Sequence, residues 1–180
     1  MGNPGDEYPQ TRHNVGEATI RAWADQRGVT LSKQKSWGFS ARIPSQPIVL
    51  AVTTGYMNTS GGPVSALAKY FKVPAERVVV LHDELDLPLG TLRLKKGGGH
   101  GGHNGLRDIQ KALGSPEFHR IRMGIGRPPG RMDPAAYVLK PFASNERPEV
   151  ELMQQQAIDA VEALVANGLL EAQQRFHAPQ

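Results

Sequence analysis

Residues 97–105 have the sequence GGGHGGHNG, and this stretch decides how the rest of the chain is interpreted. Six of its nine residues are glycine. Glycine lacks a Cβ, so the backbone here enters conformations closed to other residues and approaches a ligand closely. Gly90–Lys95 before the loop alternates apolar and polar residues as a strand does, and Leu106–Leu113 after it is typical of a helix that ends at Gly114. A strand, a glycine loop and a helix in this order predict a ligand-binding site.

The segments on either side of the loop predict an α/β fold. The predicted helices run from Asn14 to Gly28, from Ser60 to Phe71 and from Pro148 to Asn167, and the predicted strands cover 37–43, 48–54, 77–81 and 119–125. Asn14 opens a capping-box pattern, and Ser60 is the predicted N-cap of the second helix. The continuously apolar strand 77–81 is typical of a buried parallel strand. His82 and Asp83 follow it directly, where open α/β sheets place their ligand sites.

Composition and charge narrow the function classes. The chain has 180 residues, of which 39% are hydrophobic and 21% charged, as expected of one soluble domain spanning 1–180. No apolar run approaches the roughly 18 residues of a membrane span, and no leader opens the chain, so we expect a cytoplasmic protein. The absence of cysteine excludes disulfides and thiolate metal sites. A net charge of +4 favours a nucleic-acid or phosphate partner over an acidic one.

The glycine loop is open to two other interpretations. It contains G-x-G-x-x-G, which is typical of dinucleotide binding when an acidic residue ends the next strand. Glu117 has the right spacing but precedes its strand, which weakens that interpretation, and the chain has no Walker loop. His100 and His103 have the spacing of a metal pair on a helix, but the glycines between them disfavour a helix. We therefore expect no metal site.

His13 and Asp83 are candidates for a His–carboxylate pair, since one precedes a predicted helix and the other ends a predicted strand. A carboxylate bonded to one ring nitrogen fixes the tautomer and makes the other nitrogen a better base. With no cysteine and no G-x-S-x-G elbow, such a base would activate water. Asn3, Asn58 and Asn104 either cap turns or hold an amide-containing ligand. Ordinary surface or capping roles remain the alternative for all of them.

Five separated motifs occur in order: NPGxxYxxTRHN at 3–14, YMNxSG at 56–61, HDELD at 82–86, GGGHGGHNG at 97–105 and FHRIRxGIG at 118–126. Together they resemble bacterial-type peptidyl-tRNA hydrolase over essentially the whole chain. The resemblance implies a single α/β domain with a mixed β-sheet flanked by helices. It also implies hydrolysis of the ester between a peptide and the 3′ ribose of tRNA, with no cofactor.

The resemblance also assigns expected roles to individual residues. His13 matches the family's general base, and Asp83 matches the carboxylate that keeps it basic. Asn3 matches the residue that separates N-blocked aminoacyl groups from free ones. Lys95 and Arg122 match positions that grip the tRNA 5′ phosphate, although the residues alone indicate a solvated surface. The residues matched to binding of the peptide and of the tRNA 3′ end are Tyr8, Tyr56, Met57, Asn58, His103 and Asn104.

The chain departs from the family at its start. Family members usually begin with an apolar strand that runs into GLGNPG, whereas Met1-Gly2-Asn3 begins inside that motif. If the chain begins at Met1, a core strand is missing and Asn3 lies on a frayed terminus, which puts stability and activity in doubt. A misassigned start is the alternative.

The expected partner is the acceptor stem and 3′ end of peptidyl-tRNA, bound by a cytoplasmic monomer with no membrane contact and no obligate protein partner. A non-catalytic RNA-binding protein on the same fold is the first alternative, because a related plant chloroplast splicing factor uses the scaffold that way. The presence of His13, Asp83 and the three asparagines argues for the enzyme. A nucleotide-cofactor enzyme is the second alternative.

Overall fold

The computed structural model of the chain describes residues 1–3 and 10–177. The strands in these ranges are β1 (Ser32–Gln34), β2 (Gly38–Arg42), β3 (Val49–Thr53), β4 (Val79–Glu84), β5 (Leu92–Lys96) and β6 (His119–Gly124). The α-helices are α1 (Val15–Arg27), α2 (Gly61–Tyr70), α3 (Asn104–Leu113), α4 (Pro134–Val138), α5 (Arg147–Asn167) and α6 (Leu169–Phe176). Short 3-10 turns precede α1 at Arg12–Asn14 and α2 at Met57–Thr59.

The strands pair into two sheets. In the first, β1, β2 and β3 are antiparallel neighbours. In the second, the order is β4-β6-β5, with β4 parallel and β5 antiparallel to β6. This confirms the expected α/β class with a mixed sheet flanked by helices. The strands of the described residues are nevertheless divided between two sheets, and a largely apolar groove of about 340 Å³ lies between β3 and β4.

The main core lies between the mixed sheet and helices α1 and α5. Leu94, Ile121 and Met123 alternate with polar residues along β5 and β6 and are almost completely buried. This burial follows from the period of two in a strand, which places alternate side chains on one face. Met153 and Ile158 of α5 belong to the same cluster, so α5 covers the apolar face of the mixed sheet.

Gly16 in the first turn of α1 lets this helix approach β4 very closely. A Cβ built on Gly16 would lie 2.1 Å from the carbonyl oxygen of Leu81, a distance that no real side chain tolerates. The residue three positions before Gly16 is His13, and the residue two positions after Leu81 is Asp83. The close contact between helix and strand therefore brings the predicted base beside the predicted carboxylate.

The two predicted N-cap positions are confirmed, since α1 begins after Asn14 and α2 after Ser60, but neither side chain makes the capping bond. Asn14 makes no capping bond. Its Oδ1 accepts from the backbone N–H of Asn3 at 2.7 Å, and its Nδ2 donates to the Asn3 carbonyl at 2.9 Å. The Ser60 hydroxyl donates to the Met57 carbonyl at 2.7 Å, and Asp108 of α3 accepts from the N–H of Gly61 instead.

The same hydrogen bonds correct the expectation of a frayed start. Asn3 is 8% exposed, and its side-chain Oδ1 accepts from the N–H of Met57 at 2.6 Å. Together with the two bonds to Asn14, this contact fixes Asn3 between the 3-10 turns before α1 and α2. None of the helices in the described ranges has both the length and the hydropathy of a membrane span.

Candidate active site

Asp83 near the end of β4 is the centre of the candidate site. Its side chain is buried, and it accepts hydrogen bonds from two imidazoles at once. Oδ2 lies 2.8 Å from Nδ1 of His13, and Oδ1 lies 2.9 Å from Nε2 of His103. The two rings are tilted against each other with centroids 5.3 Å apart. The sequence predicted the contact with His13 and missed the one with His103.

The hydrogen bonds assign the tautomers of the two rings. Nδ1 of His103 accepts from the backbone N–H of Leu106 at 3.3 Å, as the N-cap of α3. The proton of His103 is therefore on Nε2, which donates to Asp83. His13 donates to Asp83 through Nδ1, so in the neutral imidazole Nε2 carries no proton. Since His13 lines the cleft, this nitrogen is available as a base toward a bound water.

The charge of Asp83 is stabilised by these two rings. Burial by itself would raise the pKa of Asp83, but the charge and hydrogen-bond interactions with His103 and His13 outweigh it. The net effect holds the pKa of Asp83 well below its usual range. A carboxylate that is ionised near pH 7 keeps Nδ1–H of His13 directed toward it and stabilises an imidazolium when one forms.

His82 is a third imidazole of this cluster. It is 2% exposed, its Nδ1 lies 2.8 Å from the carbonyl oxygen of Asp83, and its ring packs edge-on against His103 with centroids 5.2 Å apart. Burial, with a smaller contribution from the charge of His103, lowers the pKa of His82 to about 3. His82 is therefore neutral near pH 7 and adds no positive charge beside the pair. Nothing in the sequence around His82 predicted that it would be a buried, neutral imidazole packed against His103.

A cleft of about 650 Å³ opens beside this cluster. Most of its lining comes from the end of β4 and the residues after it, the 3-10 turn before α2, the glycine loop, and α4 with the residue after it; Asn3, His13 and Arg127 complete it. The predicted site residues that line it are Asn3, His13, Tyr56, Met57, Asn58, Asp83, His103 and Asn104. Tyr8 lies outside the described residues. The structure thus brings together every described residue that was matched to the reaction or to the 3′ end.

A buried arginine binds the backbone of the glycine loop. Arg120 of β6 is 0% exposed and donates to the carbonyls of Gly98, Gly99 and Pro116. Its guanidinium also stacks on the Phe118 ring at 4.4 Å. The sequence analysis assigned no role to Arg120, because nothing in its own strand indicates these partners. Anchoring the loop carbonyls fixes the segment that leads into His103.

The strand directions exclude the dinucleotide interpretation of the loop. The G-x-G-x-x-G fingerprint belongs to a βαβ unit with parallel strands. Here the loop joins β5 to α3, and β5 is antiparallel to β6. The acidic candidate Glu117 lies against Gly97, where a Cβ would come within 2.8 Å of its carboxylate. Both observations show that this glycine loop is not the dinucleotide-binding loop of a βαβ unit.

One group of described residues has the spacing for a metal ion. The ligand atoms of His13, Asp83 and His103 all lie within 4.8 Å of one another. In the tautomers assigned above, however, Nδ1 of His13 and Nε2 of His103 carry protons toward the carboxylate and present no lone pair to an ion there. His100 of the candidate His100/His103 pair lies outside this group; its Nδ1 accepts from the N–H of Gly102 at 3.1 Å.

A basic face borders the cleft. Strand pairing places Lys95 opposite Arg120 and Arg93 opposite Arg122, so all four cations share one face of the mixed sheet. Burial, followed by the charges of Arg120 and Arg122, lowers the pKa of Lys95. Arg122 donates from Nε to Glu84 at 2.9 Å, and Glu84 also lines the cleft. The two predicted phosphate contacts are therefore close together and connected to the site.

The comparisons with known proteins agree with this arrangement. The model of the peptidyl-tRNA hydrolase family matches residues 1–180. The chain belongs to the peptidyl-tRNA hydrolase family of enzymes. A family member from Kineococcus radiotolerans is 50% identical over 188 residues, covering 99% of this chain and 95% of the relative. One from Nocardia farcinica is 52% identical over 180 residues, covering 98% and 93%.

Solved structures of the family show the same fold. The crystal structure of peptidyl-tRNA hydrolase from Acinetobacter baumannii is 39% identical, with a TM-score of 0.90, and the match covers 99% of this chain and 92% of that one. A complex of peptidyl-tRNA hydrolase with n-propanol matches with a TM-score of 0.91 at 39% identity, over 100% and 93% of the two chains. The sequence-based resemblance and fold are thereby confirmed.

Proposed function

We propose that this protein hydrolyses the ester between a peptide, or an N-blocked amino acid, and the 3′ ribose of tRNA, using water activated by His13 and Asp83. The observation that carries the proposal is the 2.8 Å contact between Nδ1 of His13 and Oδ2 of a buried, ionised Asp83. Family membership supports the substrate class. The chemistry itself requires no cofactor, and we expect a cytoplasmic monomer.

The reaction begins with proton transfer from water to Nε2 of His13. The resulting hydroxide attacks the ester carbonyl carbon and forms a tetrahedral intermediate with a negative charge on the former carbonyl oxygen. Asp83 accepts the hydrogen bond from Nδ1–H and stabilises the transient imidazolium. The bond from carbon to the ribose 3′ oxygen then breaks, and this oxygen takes the proton from Nε2. The products are a peptide with a free carboxyl group and a tRNA with a free 3′ hydroxyl.

Amide groups around the cleft are assigned to substrate binding. Asn58 and Asn104 are exposed residues of the cleft wall, and their amide N–H groups suit the peptide, the terminal nucleotide and the oxyanion. Tyr56, which is 61% exposed, and the buried Met57 lie beside them. Asn3 is oriented by the N–H of Met57 and distinguishes blocked from free aminoacyl groups. His103 acts here through Asp83, in addition to the contact with the 3′ end expected from the family.

The proposed function is tested with a pair of substrates on one tRNA. We expect release of N-acetyl amino acid from N-acetyl-aminoacyl-tRNA and little release from the unblocked aminoacyl-tRNA, both followed by acid precipitation of labelled substrate. Cleavage of neither substrate, together with tight tRNA binding, would favour the RNA-binding alternative. Cleavage of both substrates at equal rates would support the hydrolase activity and contradict the proposed role of Asn3 in discriminating blocked from free aminoacyl groups.

The basic face is assigned to the 5′ phosphate of the acceptor stem. We expect Lys95→Ala combined with Arg122→Ala to weaken tRNA binding and to flatten the plot of log affinity against log salt concentration by about two units. The physical reason is that each lost phosphate contact no longer releases a counterion. The measurement is tRNA affinity at several salt concentrations.

A matched control for this variant lies on the other sheet. Lys33→Ala combined with Arg42→Ala removes the same charge from exposed positions of β1 and β2. If the control flattens the salt dependence as much as the Lys95/Arg122 variant does, the effect comes from net charge, and the assignment of the phosphate site is wrong.

A further inference from the structure

Arg12, the residue before His13, is buried and makes a set of contacts that the proposed reaction does not use. It is 8% exposed. Its Nη1 donates to the carbonyls of Lys140 and Pro141 at 3.2 and 3.0 Å, and its Nη2 donates to Glu146 at 3.0 Å. A guanidinium that replaces its hydration shell with two carbonyls and one carboxylate is held in one geometry.

Arg12 also makes two aromatic contacts and one backbone hydrogen bond with the same part of the chain. The guanidinium carbon lies 4.1 Å from the centroid of the Tyr137 ring and 5.5 Å from that of Phe142. The backbone N–H of Arg12 also donates to Lys140, at 3.1 Å. The Tyr137 hydroxyl in turn donates to the carbonyl of Ile125, just after β6, at 3.1 Å. Arg12 therefore joins the catalytic turn to the segment 137–146.

This segment includes one apolar wall of the cleft. Val138 of α4 and Leu139 after it line the same cleft as His13. Leu139 is 43% exposed, so its apolar side chain is accessible from the cleft. Helix α4 has only five residues, so its own backbone bonds give it little stability. The position of α4 beside His13 therefore depends on contacts with residues outside the helix.

Resting on the function proposed above, we propose that Arg12 is a positioning residue that fixes the apolar wall of Val138 and Leu139 relative to His13. An apolar side chain of the substrate then contacts the wall while the ester carbonyl faces Nε2 of His13. The substrate class favoured by this geometry is an N-blocked aminoacyl ester with a large aliphatic side chain next to the ester.

The test uses Arg12→Lys, which keeps the positive charge beside Glu146 and loses the planar fork that reaches two carbonyls. Arg147→Lys is the matched control, because Arg147 is exposed and its side chain, within the described residues, donates a hydrogen bond to the side chain of Gln10 rather than to a backbone carbonyl. The substrates are one acceptor-stem RNA acylated with N-acetyl-leucine or with N-acetyl-glycine.

We expect Arg12→Lys to lower kcat/KM for the leucyl substrate about tenfold more than for the glycyl substrate, mainly through KM, while the control keeps the wild-type ratio. By itself, Leu139→Ala should lower the ratio of kcat/KM for the leucyl substrate to that for the glycyl substrate. Added to Arg12→Lys, it should lower this ratio no further, because both changes remove the contact between the substrate side chain and the apolar wall. Equal losses for the two substrates, or additive losses in the double variant, would overturn the proposal.

Hydrogen exchange gives a readout that is independent of activity. We expect the backbone amides of residues 135–140 to exchange about tenfold faster in Arg12→Lys, with unchanged exchange in α5. Unchanged exchange in 135–140 would show that Arg12 does not hold the wall. If the wild type cleaves neither substrate, the proposed function fails, and the exchange result still decides whether Arg12 fixes the wall.

Discussion

The His13→Ala variant is expected to lose hydrolysis of N-acetyl-aminoacyl-tRNA by about a thousandfold in kcat while it keeps the affinity of the wild type for tRNA. The variant removes the only imidazole nitrogen that faces the cleft unprotonated in the assigned tautomers of the cluster around Asp83. Lys95 and Arg122, which hold the tRNA phosphate in the proposal, are untouched. The measurement is single-turnover release of labelled N-acetyl amino acid, together with tRNA affinity by filter binding.

His119→Gln is the matched control for His13→Ala. His119 begins β6 and does not line the cleft, so its replacement should leave single-turnover rates close to those of the wild type. Turnover by His13→Ala within a few-fold of the wild type would exclude His13 as the base. Loss of turnover accompanied by loss of tRNA affinity would indicate a binding role for His13 instead.

The Asp83→Asn variant is expected to lower kcat by about 10²- to 10⁴-fold at unchanged tRNA affinity. Asparagine has the same shape but offers one acceptor and one donor in place of two acceptors. Either His13 or His103 then faces an N–H group and must change its tautomer or move. If His13 turns its proton toward the cleft, it cannot take one from water. Wild-type kcat in Asp83→Asn would contradict the assigned pair.

Acid unfolding provides a second readout for Asp83. Because the pKa of Asp83 is well below its usual range in the folded state, the unfolded state binds a proton below about pH 4 that the folded state does not. The stability that Asp83 contributes is therefore present above this pH and is lost as the pH falls. Denaturant unfolding of Asp83→Asn should show a shallower loss of free energy of unfolding below pH 4 than the wild type. An identical slope would mean that Asp83 is not held ionised.

Several parts of the fold could be predicted from the sequence because the signal is local. The alternation of β5, the strands β2, β3, β4 and β6, and the helix after the glycine loop were all predicted and were found. Such patterns depend on the period of each element and on residues that end it, such as Gly114, which takes the left-handed conformation at the end of α3. Asn14 and Ser60 occupy the predicted N-cap positions, but the expected capping bonds are absent because the two side chains bind Asn3 and the Met57 carbonyl instead.

The two buried arginines show where local patterns give no information. Arg120 lies on the alternate face of β6 from Ile121, which predicts solvent exposure, but the glycine loop folds over it and its N–H groups bind loop carbonyls. Arg12 begins the short turn before α1, where no hydrophobic periodicity indicates burial, and its five side-chain contacts come from residues at least 125 positions away. A local window cannot contain partners at that separation.

The sequence by itself determined the family, the α/β class and the types of residue available for chemistry, because motifs and periodicity are carried by neighbouring residues. Only the tertiary structure decided how these residues meet. The missing Cβ of Gly16 lets α1 touch β4, which places His13 against Asp83, and the cap of α3 gives Asp83 its second imidazole, His103. Tautomers, the ionisation of a buried carboxylate and the shape of a cleft all depend on distances of about 3 Å between residues far apart in the chain, and the folded chain alone sets those distances.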